Sequence, residues 1–406
     1  MSLLGELSEM ELSVHLQPHG ALLVDRKSMF YYRLSGRGVQ LALLLAENNS
    51  LQKTARIWEI VTKEEMSADK LKEELSTHPF TAAWTEGLLD KRLMITGSTK
   101  SYLPISCTLQ FTNSCNLSCS FCYASSGKPY QNELNAFEWI EVMEKLAAHG
   151  VADITITGGE AKLIKGFKEL ITAASSLFTN VNLFSNGLNW RDEEIELLKH
   201  LGNVCVQISI DGSADTHDLL RGRKGSFKES MRNVKRMTDS SLPVIVAMTI
   251  NELNACEVLE VIENSVESGA TFFRAGRTLN VGRASDTRDI SSETERLVKQ
   301  QLKKAISDWG DQIIIIDWEE EKNGVTDFCT PGYLAWYIRA DGYVTPCQIE
   351  ESAIGHILED SMLDIGSPER LMQAKCNAKH CRCIGKIELS EPDLPFSQIR
   401  INEVKS

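Results

Sequence analysis

Long apolar runs are missing from this 406-residue chain, so no segment has the length that a membrane span requires. No basic-then-apolar stretch opens it either. Residues 1–10 are polar and acidic, which excludes a secretory signal peptide and points to a cytoplasmic protein. Positive charge is in short supply: 43 Lys and Arg stand against 56 Asp and Glu, a net charge of −13. That balance argues against nonspecific nucleic-acid binding and is compatible with a basic peptide partner. Internal repeats and low-complexity tracts are absent as well. With 24% charged and 42% apolar residues the rest is ordinary for a globular protein, long enough for two or three domains.

Cysteine is what the chain has in unusual supply. Eleven cysteines without a secretory signal favour a reducing compartment and metal ligation over disulfides. Eight fall in two groups, at 115–122 and 329–383; Cys107, Cys205 and Cys256 lie in apolar contexts and read as small buried hydrophobes. The stretch Cys115-Asn116-Leu117-Ser118-Cys119-Ser120-Phe121-Cys122 holds three thiols, an odd number unsuited to mutual bridging. Thiolates are soft anionic ligands, and three of them can wrap three corners of a four-iron cubane. The fourth iron is then open to a substrate or cofactor. The alternative is structural zinc, which wants four ligands, usually in two spaced pairs. Here C-x3-C-x2-C is not that spacing, and a fourth ligand would have to come from far along the chain.

From about residue 103, strands and helices alternate. Strands are expected at 105–111, 154–157, 181–184, 204–210, 244–249 and 271–274, with helices between them at about 135–149, up to 178, 191–200, 226–238 and 255–268. Six βα units in order imply an α/β fold with a parallel sheet, six units rather than eight suggest a partial barrel, and the loops at the strand C-termini carry the site. Gly158-Gly159-Glu160 follows the second strand; two glycines let backbone approach a ligand, and Glu160 can accept from an ammonium. Ser185-Asn186-Gly187 follows the third strand, and Ser209 and Asp211 lie at the end of the fourth. These are candidate ribose or substrate contacts, or simply turn formers. Arg274 closes the sixth strand as a candidate for the adenine end or a surface ion pair.

The cysteine run after a hydrophobic strand resembles the signature of the radical S-adenosylmethionine (SAM) enzymes. The resemblance implies a [4Fe-4S] cluster on Cys115, Cys119 and Cys122 whose open iron chelates the amino and carboxylate groups of SAM. One electron then splits the sulfonium to a 5′-deoxyadenosyl radical. It also implies an external electron donor such as flavodoxin or ferredoxin, and it sets Phe121 and Tyr123 beside the cofactor. Gly158, Gly159 and Glu160 look like the family's GGE motif, which holds the methionine amino group. His217-Asp218-Leu219-Leu220-Arg221-Gly222 looks like the H-D-x-x-R-G stretch of members acting on peptides, where Arg221 would pair with the SAM carboxylate.

Residues 1 to about 100 read as a separate module. The runs 21–24 and 29–32 are split by Asp25-Arg26-Lys27-Ser28, a hairpin signal, and helices are expected at about 36–47, 51–64 and 67–89. Leu41, Leu44 and Leu45, then Ile57, Ile60 and Val61, supply the helical period. Two strands and three helices suggest a small winged helix, without the Lys/Arg stripe of a DNA binder. It resembles the peptide-recognition module that precedes many radical enzymes acting on ribosomally made peptides, where a leader peptide adds to the sheet edge. A structural cap is the alternative.

The last third carries the second cysteine group. A hairpin is expected over 333–345 with an Asp341-Gly342 turn, flanked by Cys329 and Cys347. Cys376, Cys381 and Cys383 follow, and 384–406 reads as a polar, extended tail. Cys329-x12-Gly342-x4-Cys347 resembles the opening of the SPASM extension or its short form, Twitch. The run needed for two SPASM clusters is absent, which implies Twitch and one auxiliary iron–sulfur cluster, with five thiols for four places. A zinc site on Cys376, His380, Cys381 and Cys383 is the alternative. The whole assembly, module at 1–100, partial barrel at 101–310 and Twitch region at 311–406, resembles the sporulation killing factor maturation enzymes, which are sactionine synthases. That implies a cysteine-to-α-carbon thioether made in a precursor peptide that carries a leader. Epimerisation or carbon–carbon crosslinking would use the same motifs, and a non-enzymatic iron–sulfur or zinc sensor is the reading from another class.

Overall fold

The computed structural model describes residues 11–76, 93–286, 289–316, 331–377 and 398–399. They form two compact units, one reaching to Leu103 and including 398–399, the other beginning at Pro104.

The first unit contains β1 (Leu12–Gln17), β2 (Gly20–Asp25) and β3 (Tyr31–Leu34), an antiparallel meander. Helices α1 (Arg37–Asn48), α2 (Leu51–Thr62) and α3 (Ala68–Ser76) follow, then β4 (Met94–Gly97), which pairs parallel to β1. The expected β2–β3 turn is built by Asp25, whose carboxylate accepts from the backbone N–H of Lys27 at 3.2 Å and of Ser28 at 3.3 Å. Such a side chain closes a turn by bonding backbone a few residues on. Gln398–Ile399 pairs antiparallel with β3, so the sheet has five strands, with this two-residue strand and β4 at its edges.

Two expectations need correction here, and a third lies partly outside the described residues. Strand β1 was not expected. Its Leu12, Val14 and Leu16 alternate with Ser13 and His15, but Ser13 and His15 are buried too, because the strand is central and covered on both faces. On α2 the helical period was right and the face wrong: Ile60 and Val61 are 58% and 71% exposed, whereas Leu51, Thr54, Ala55 and Trp58 face the core. Helix α3 is described over Ala68–Ser76, and the remainder of the stretch expected to be helical lies outside the described residues.

The second unit is built on parallel strands β5 (Ser106–Gln110), β6 (Asp153–Thr157), β7 (Asn180–Ser185), β8 (Val204–Ser209), β9 (Val244–Ile250) and β10 (Phe272–Arg277), neighbours in chain order. The connecting helices are α4 (Ala136–Ala148), α5 (Phe167–Leu177), α6 (Asp192–Leu201), α7 (Ala214–Arg221), α8 (Ser226–Asp239) and α9 (Val258–Glu267). This is the expected partial barrel of six βα units. The sheet also continues at both edges. After α10 (Ser292–Trp309), β11 (Ile314–Ile316) pairs parallel to β10. At the other edge β12 (Ala335–Ile338) pairs parallel to β5 and turns through Asp341-Gly342 into antiparallel β13 (Tyr343–Thr345), followed by β14 (Gly355–His356). The expected hairpin is therefore present, and its first strand belongs to the barrel sheet.

Alternation along the strands separates two faces. Ile154 and Ile156 on β6, Val181 and Leu183 on β7, and Val244 and Val246 on β9 are fully buried. Their neighbours Thr155, Asn182 and Ile245 are half-buried, on the opposite face. Period-two side-chain geometry makes one face an apolar seat for helices and the other a largely polar concave surface. Helices α11 (Met362–Ile365) and α12 (Pro368–Asn377) follow the last hairpin. Of the three cysteines expected to be core, Cys107 is buried, Cys205 is half-buried, and Cys256 is exposed. Cys256 lies in a 3-10 turn before α9 whose buried residue is Ala255, so the spacing that suggested burial was read from a helix not yet begun.

Candidate active site

The loop after β5 carries Cys115, Cys119 and Cys122. It closes on itself through Cys115 N–H to Gly127 O at 3.1 Å and Gly127 N–H to Asn113 O at 2.9 Å. Leu117, Cys119 and Leu188 form a small buried cluster against which Cys115, Phe121 and Cys122 pack, so all three thiols share one apolar environment. Burial pushes the Cys115 thiol up to about 11, and the neighbouring Cys119 and Cys122 add to the shift. Burial also raises Cys119, against the pull of Arg221. Iron would have to displace these protons, as metal binding at thiols generally does.

Three other segments clamp this loop. The GGE turn donates Gly159 N–H to Thr112 O and Glu160 N–H to Ser114 O, each at 2.8 Å. A Cβ on Gly159 would lie 2.3 Å from the Ser114 carbonyl oxygen, so only glycine allows this approach. The C-terminus of α7 accepts Ser120 N–H on Leu220 O at 3.0 Å and Ser118 N–H on Arg221 O at 3.4 Å. The loop's own amides thus satisfy carbonyls that a helix end leaves unpaired. The third clamp was not found from the sequence. Gly282-Arg283, past β10, donates Arg283 N–H to Cys122 O at 3.0 Å, Nε to Cys119 O at 2.7 Å and Nη1 to Ser126 O at 2.8 Å. A Gly-Arg dipeptide in a loop carries no motif, so only the fold reveals it.

Behind the thiols, Glu160 is 2% exposed and accepts from Ser185 Oγ at 2.9 Å and Asn186 N–H at 2.8 Å. Burial raises its carboxyl while these donors lower it. Ser185 also accepts from Gly187 N–H and Trp190 Nε1, so its hydroxyl positions Glu160 within a closed network. Asn186 Nδ2 donates to Asn116 Oδ1 of the cysteine loop at 2.7 Å, another partner that no motif announced.

Asp211 and Arg221 were expected at the ribose and at a SAM carboxylate. The structure pairs them with each other: Arg221 Nε donates to Asp211 Oδ2 at 2.5 Å, and Nη2 forms an ion pair with the same oxygen. Asp211 is fully buried, and Arg221 Nη1 points to Cys119 Sγ at 3.7 Å. Burial works against the Arg221 charge, but Asp211 and Cys119 outweigh it and hold its pKa above the ordinary value. Phe121 lies under the guanidinium, 5.3 Å from ring centre to Cζ. The Tyr123 phenol shares hydrogen bonds with Tyr337 and Thr157. Ser209 ends β8, half-buried beside Ala247. Arg274 does not end its strand: β10 runs on to Arg277, and Arg274 sits in its middle between Ala247 and Ile316.

Among the described residues no three His, Cys, Asp or Glu side chains converge tightly enough to hold one metal ion. A cubane asks for a different arrangement, three sulfurs in one dry pocket each facing its own iron, and the 115–122 loop fits that requirement. Of the second cysteine group, Cys347 follows β13 and is half-buried, and Cys376 lies in the last turn of α12. Cys329, Cys381, Cys383 and His380 lie outside the described residues. No helix among the described residues is long and apolar enough to cross a membrane.

Comparison with known proteins agrees with this geometry. The family model of the Radical SAM superfamily matches residues 109–264. The chain is 71% identical over 390 residues to the sporulation killing factor maturation protein SkfB of Bacillus subtilis (strain 168), covering 96% of this chain and 95% of that protein. The antilisterial bacteriocin subtilosin biosynthesis protein AlbA of the same organism is 30% identical over 298 residues, 70% of this chain and 65% of that protein. Crystal structures of Streptococcus suis SuiB, one bound to SAM and one to its precursor peptide SuiA, each superpose with a TM-score of 0.69 at 14% identity, over 89% of this chain and 88% of that chain.

Proposed function

The chain belongs to the radical SAM superfamily and, within it, to the family of the sporulation killing factor maturation protein; on that premise we propose that it forms a thioether between a cysteine sulfur and an acceptor α-carbon in a ribosomally made precursor peptide. The observation that carries this reading is the convergence of Cys115, Cys119 and Cys122 in one apolar pocket clamped by the GGE and H-D-x-x-R-G segments. Cys115, Cys119 and Cys122 would hold a [4Fe-4S] cluster and Glu160 would accept from the SAM amino group; bound there, the two groups would supply radical chemistry able to take hydrogen from an α-carbon. The apolar wall of Leu117, Phe121 and Leu188 keeps water from that chemistry, as a carbon radical requires. Because thioether formation from a thiol and a C–H bond releases two hydrogens, an electron must also leave. We assign that exit to one auxiliary cluster held within 329–383 and the reductant to an external donor such as flavodoxin or ferredoxin. SuiB, solved in complex with its precursor peptide SuiA, supports a peptide partner for this fold. We assign leader recognition to residues 1–100, radical chemistry to 101–310 and the Twitch region to 311–406, in a cytoplasmic protein.

The test is anaerobic incubation of reconstituted enzyme, SAM and reductant with the candidate precursor peptide. A loss of two hydrogens per crosslink, with a cysteine no longer alkylatable, is the expected result. An unchanged peptide mass alongside deoxyadenosine points to epimerisation instead. Replacing Cys115, Cys119 and Cys122 together by Ala is expected to abolish deoxyadenosine formation, and its persistence would sink the assignment.

A further inference from the structure

We propose that the basic face formed by the α7–α8 loop and the outer side of α8 is the docking surface for an acidic one-electron carrier protein of the flavodoxin or ferredoxin kind. This site rests on the reading of Cys115, Cys119 and Cys122 as cluster ligands, and it gives the external donor its point of entry.

The face runs against the charge of the whole chain. In a protein of net charge −13, Arg223, Lys224, Lys228, Arg232 and Lys235 follow one another with Glu229 as the one acid between them. Helix α8 turns the cations to one side. Its buried residues are Ser226, Ser230, Asn233, Val234 and Met237, while Lys228, Arg232 and Lys235, at steps of four and three, share the exposed face. Glu229 is already engaged: it accepts Asn189 N–H at 2.8 Å and pairs with Arg223 at 3.5 Å. Lys235 pairs with Asp239 one turn on. Lys224, Lys228 and Arg232 are exposed and pair with no carboxylate among the described residues. Asp218 does not neutralise the loop either, because its carboxylate caps α8. It accepts Phe227 N–H and Ser226 Oγ–H at 2.9 Å each, and Gly225 N–H as well.

Position decides the partner. The loop starts where α7 meets the cysteine loop, at the bonds from Ser118 N–H to Arg221 O and from Ser120 N–H to Leu220 O. Gly222 approaches so closely that a Cβ there would stand 2.6 Å from Ser118 Oγ. Ser118 and Ser120 are exposed, and Cys119 between them is 7% exposed. A cluster on Cys119 therefore lies just beneath the surface, at the rim of the basic face. Leu219, 71% exposed on the last turn of α7, adds an apolar contact beside the cations. An apolar spot rimmed by like charges suits a small, transient interface, where complementary charge speeds encounter more than it holds the complex. A basic face draws an acidic carrier. Electron transfer falls off steeply with distance, and a carrier seated here has little protein to cross. In that step the carrier is oxidised by one electron and the cluster reduced by one; no bond forms or breaks.

The experiment uses reconstituted full-length enzyme and two purified probes, a flavodoxin and a [4Fe-4S] ferredoxin. The triple variant Lys224→Glu, Lys228→Glu, Arg232→Glu is compared with Arg296→Glu, Lys303→Glu, Lys304→Glu, which changes net charge equally on the exposed side of α10. Carrier affinity is measured at low and at physiological salt. Deoxyadenosine formation is driven once by reduced carrier and once by dithionite. The expected result is that wild type binds at least one carrier, more weakly as salt rises, with about tenfold weaker binding in the α8 variant and less than about twofold change in the α10 variant. The KM for the carrier should rise with the loss of affinity, while the dithionite-driven rate and leader-peptide affinity stay at wild-type levels. Binding of neither carrier, or equal weakening in both variants, would overturn the proposal. So would a loss of leader-peptide affinity in the α8 variant, which would make this face a peptide site. A wild-type enzyme that forms no deoxyadenosine even with dithionite would instead remove the cluster reading itself.

Discussion

The two units use strands in opposite ways. In the small N-terminal sheet the exposed resource is backbone: β4 forms one edge, with Met94 52% exposed, and β3 lies next to the other, where Gln398–Ile399 of the same chain pairs with it. An edge offers a row of N–H and C=O groups to any extended segment, with little regard for its side chains. In the parallel sheet β5 to β10 have their ladders filled by neighbours, and what is exposed is the set of loops at their C-terminal ends. There the proposed chemistry rests on side chains of fixed identity, Cys115, Cys119, Cys122 and Glu160, and on glycines that permit contact. A backbone edge tolerates many sequences; a thiol–carboxylate site does not. The comparison teaches why one unit announces its role in motifs and the other does not.

The largest expected effect breaks the barrel side alone. Gly159→Ala drives a Cβ into the Ser114 carbonyl, and displacing the GGE turn from the cysteine loop should lower deoxyadenosine formation on the order of a hundredfold. Binding of a labelled leader peptide should stay at the wild-type level. A variant that cleaves SAM normally would remove the close-approach argument.

The next effect belongs to the N-terminal sheet. His15 is fully buried, with Nε2 against Leu103 O and Nδ1 against Thr96 Oγ1, and burial lowers its pKa to about 4. Its unfolded value is near 6.5, so between these limits the unfolded state binds more protons and stability rises with pH. The native sheet is therefore fully favoured above about pH 6.5 and loses on the order of 3 kcal/mol as pH falls to about 4. Protection factors in peptides spanning 12–17, taken against the intrinsic exchange rate at each pH, should fall over that window, and His15→Gln should flatten the response. Protection independent of pH in wild type would contradict it.

Arg283→Ala removes two side-chain bonds from the cysteine loop and keeps the backbone N–H bond to Cys122. About 2 kcal/mol of local stability should go with them, read as lower iron content after reconstitution at limiting iron. Full loading at wild-type iron affinity would show the clamp to be dispensable. The smallest effect tests the sheet edge. Ile399→Pro weakens the short strand paired with β3, and freeing about one ladder hydrogen bond should tighten leader binding roughly fivefold. Weaker or unchanged binding would mean that the leader adds elsewhere, the open β4 edge being the alternative.

The amino-acid sequence by itself determined the parallel order of the barrel, the cysteine loop, the GGE turn and the hairpin at Asp341-Gly342. Each of these is local: a period, a spacing or a turn dipeptide acts within a few residues, so the signal survives without knowledge of the fold. Tertiary structure alone decided the rest. Strand β1 was hidden because a central strand buries its polar residues too, and α2 turned Trp58 inward rather than Ile60 and Val61 because neighbouring elements, not periodicity, choose which face is covered. Arg283 and Asn116 reached the site through partners 164 and 70 residues away in the chain, distances over which no sequence pattern operates. Asp211 and Arg221 were both visible as candidates. Only the fold shows that they converge in a buried position, where two opposite charges must pair, with Arg221 Nη1 3.7 Å from Cys119 Sγ.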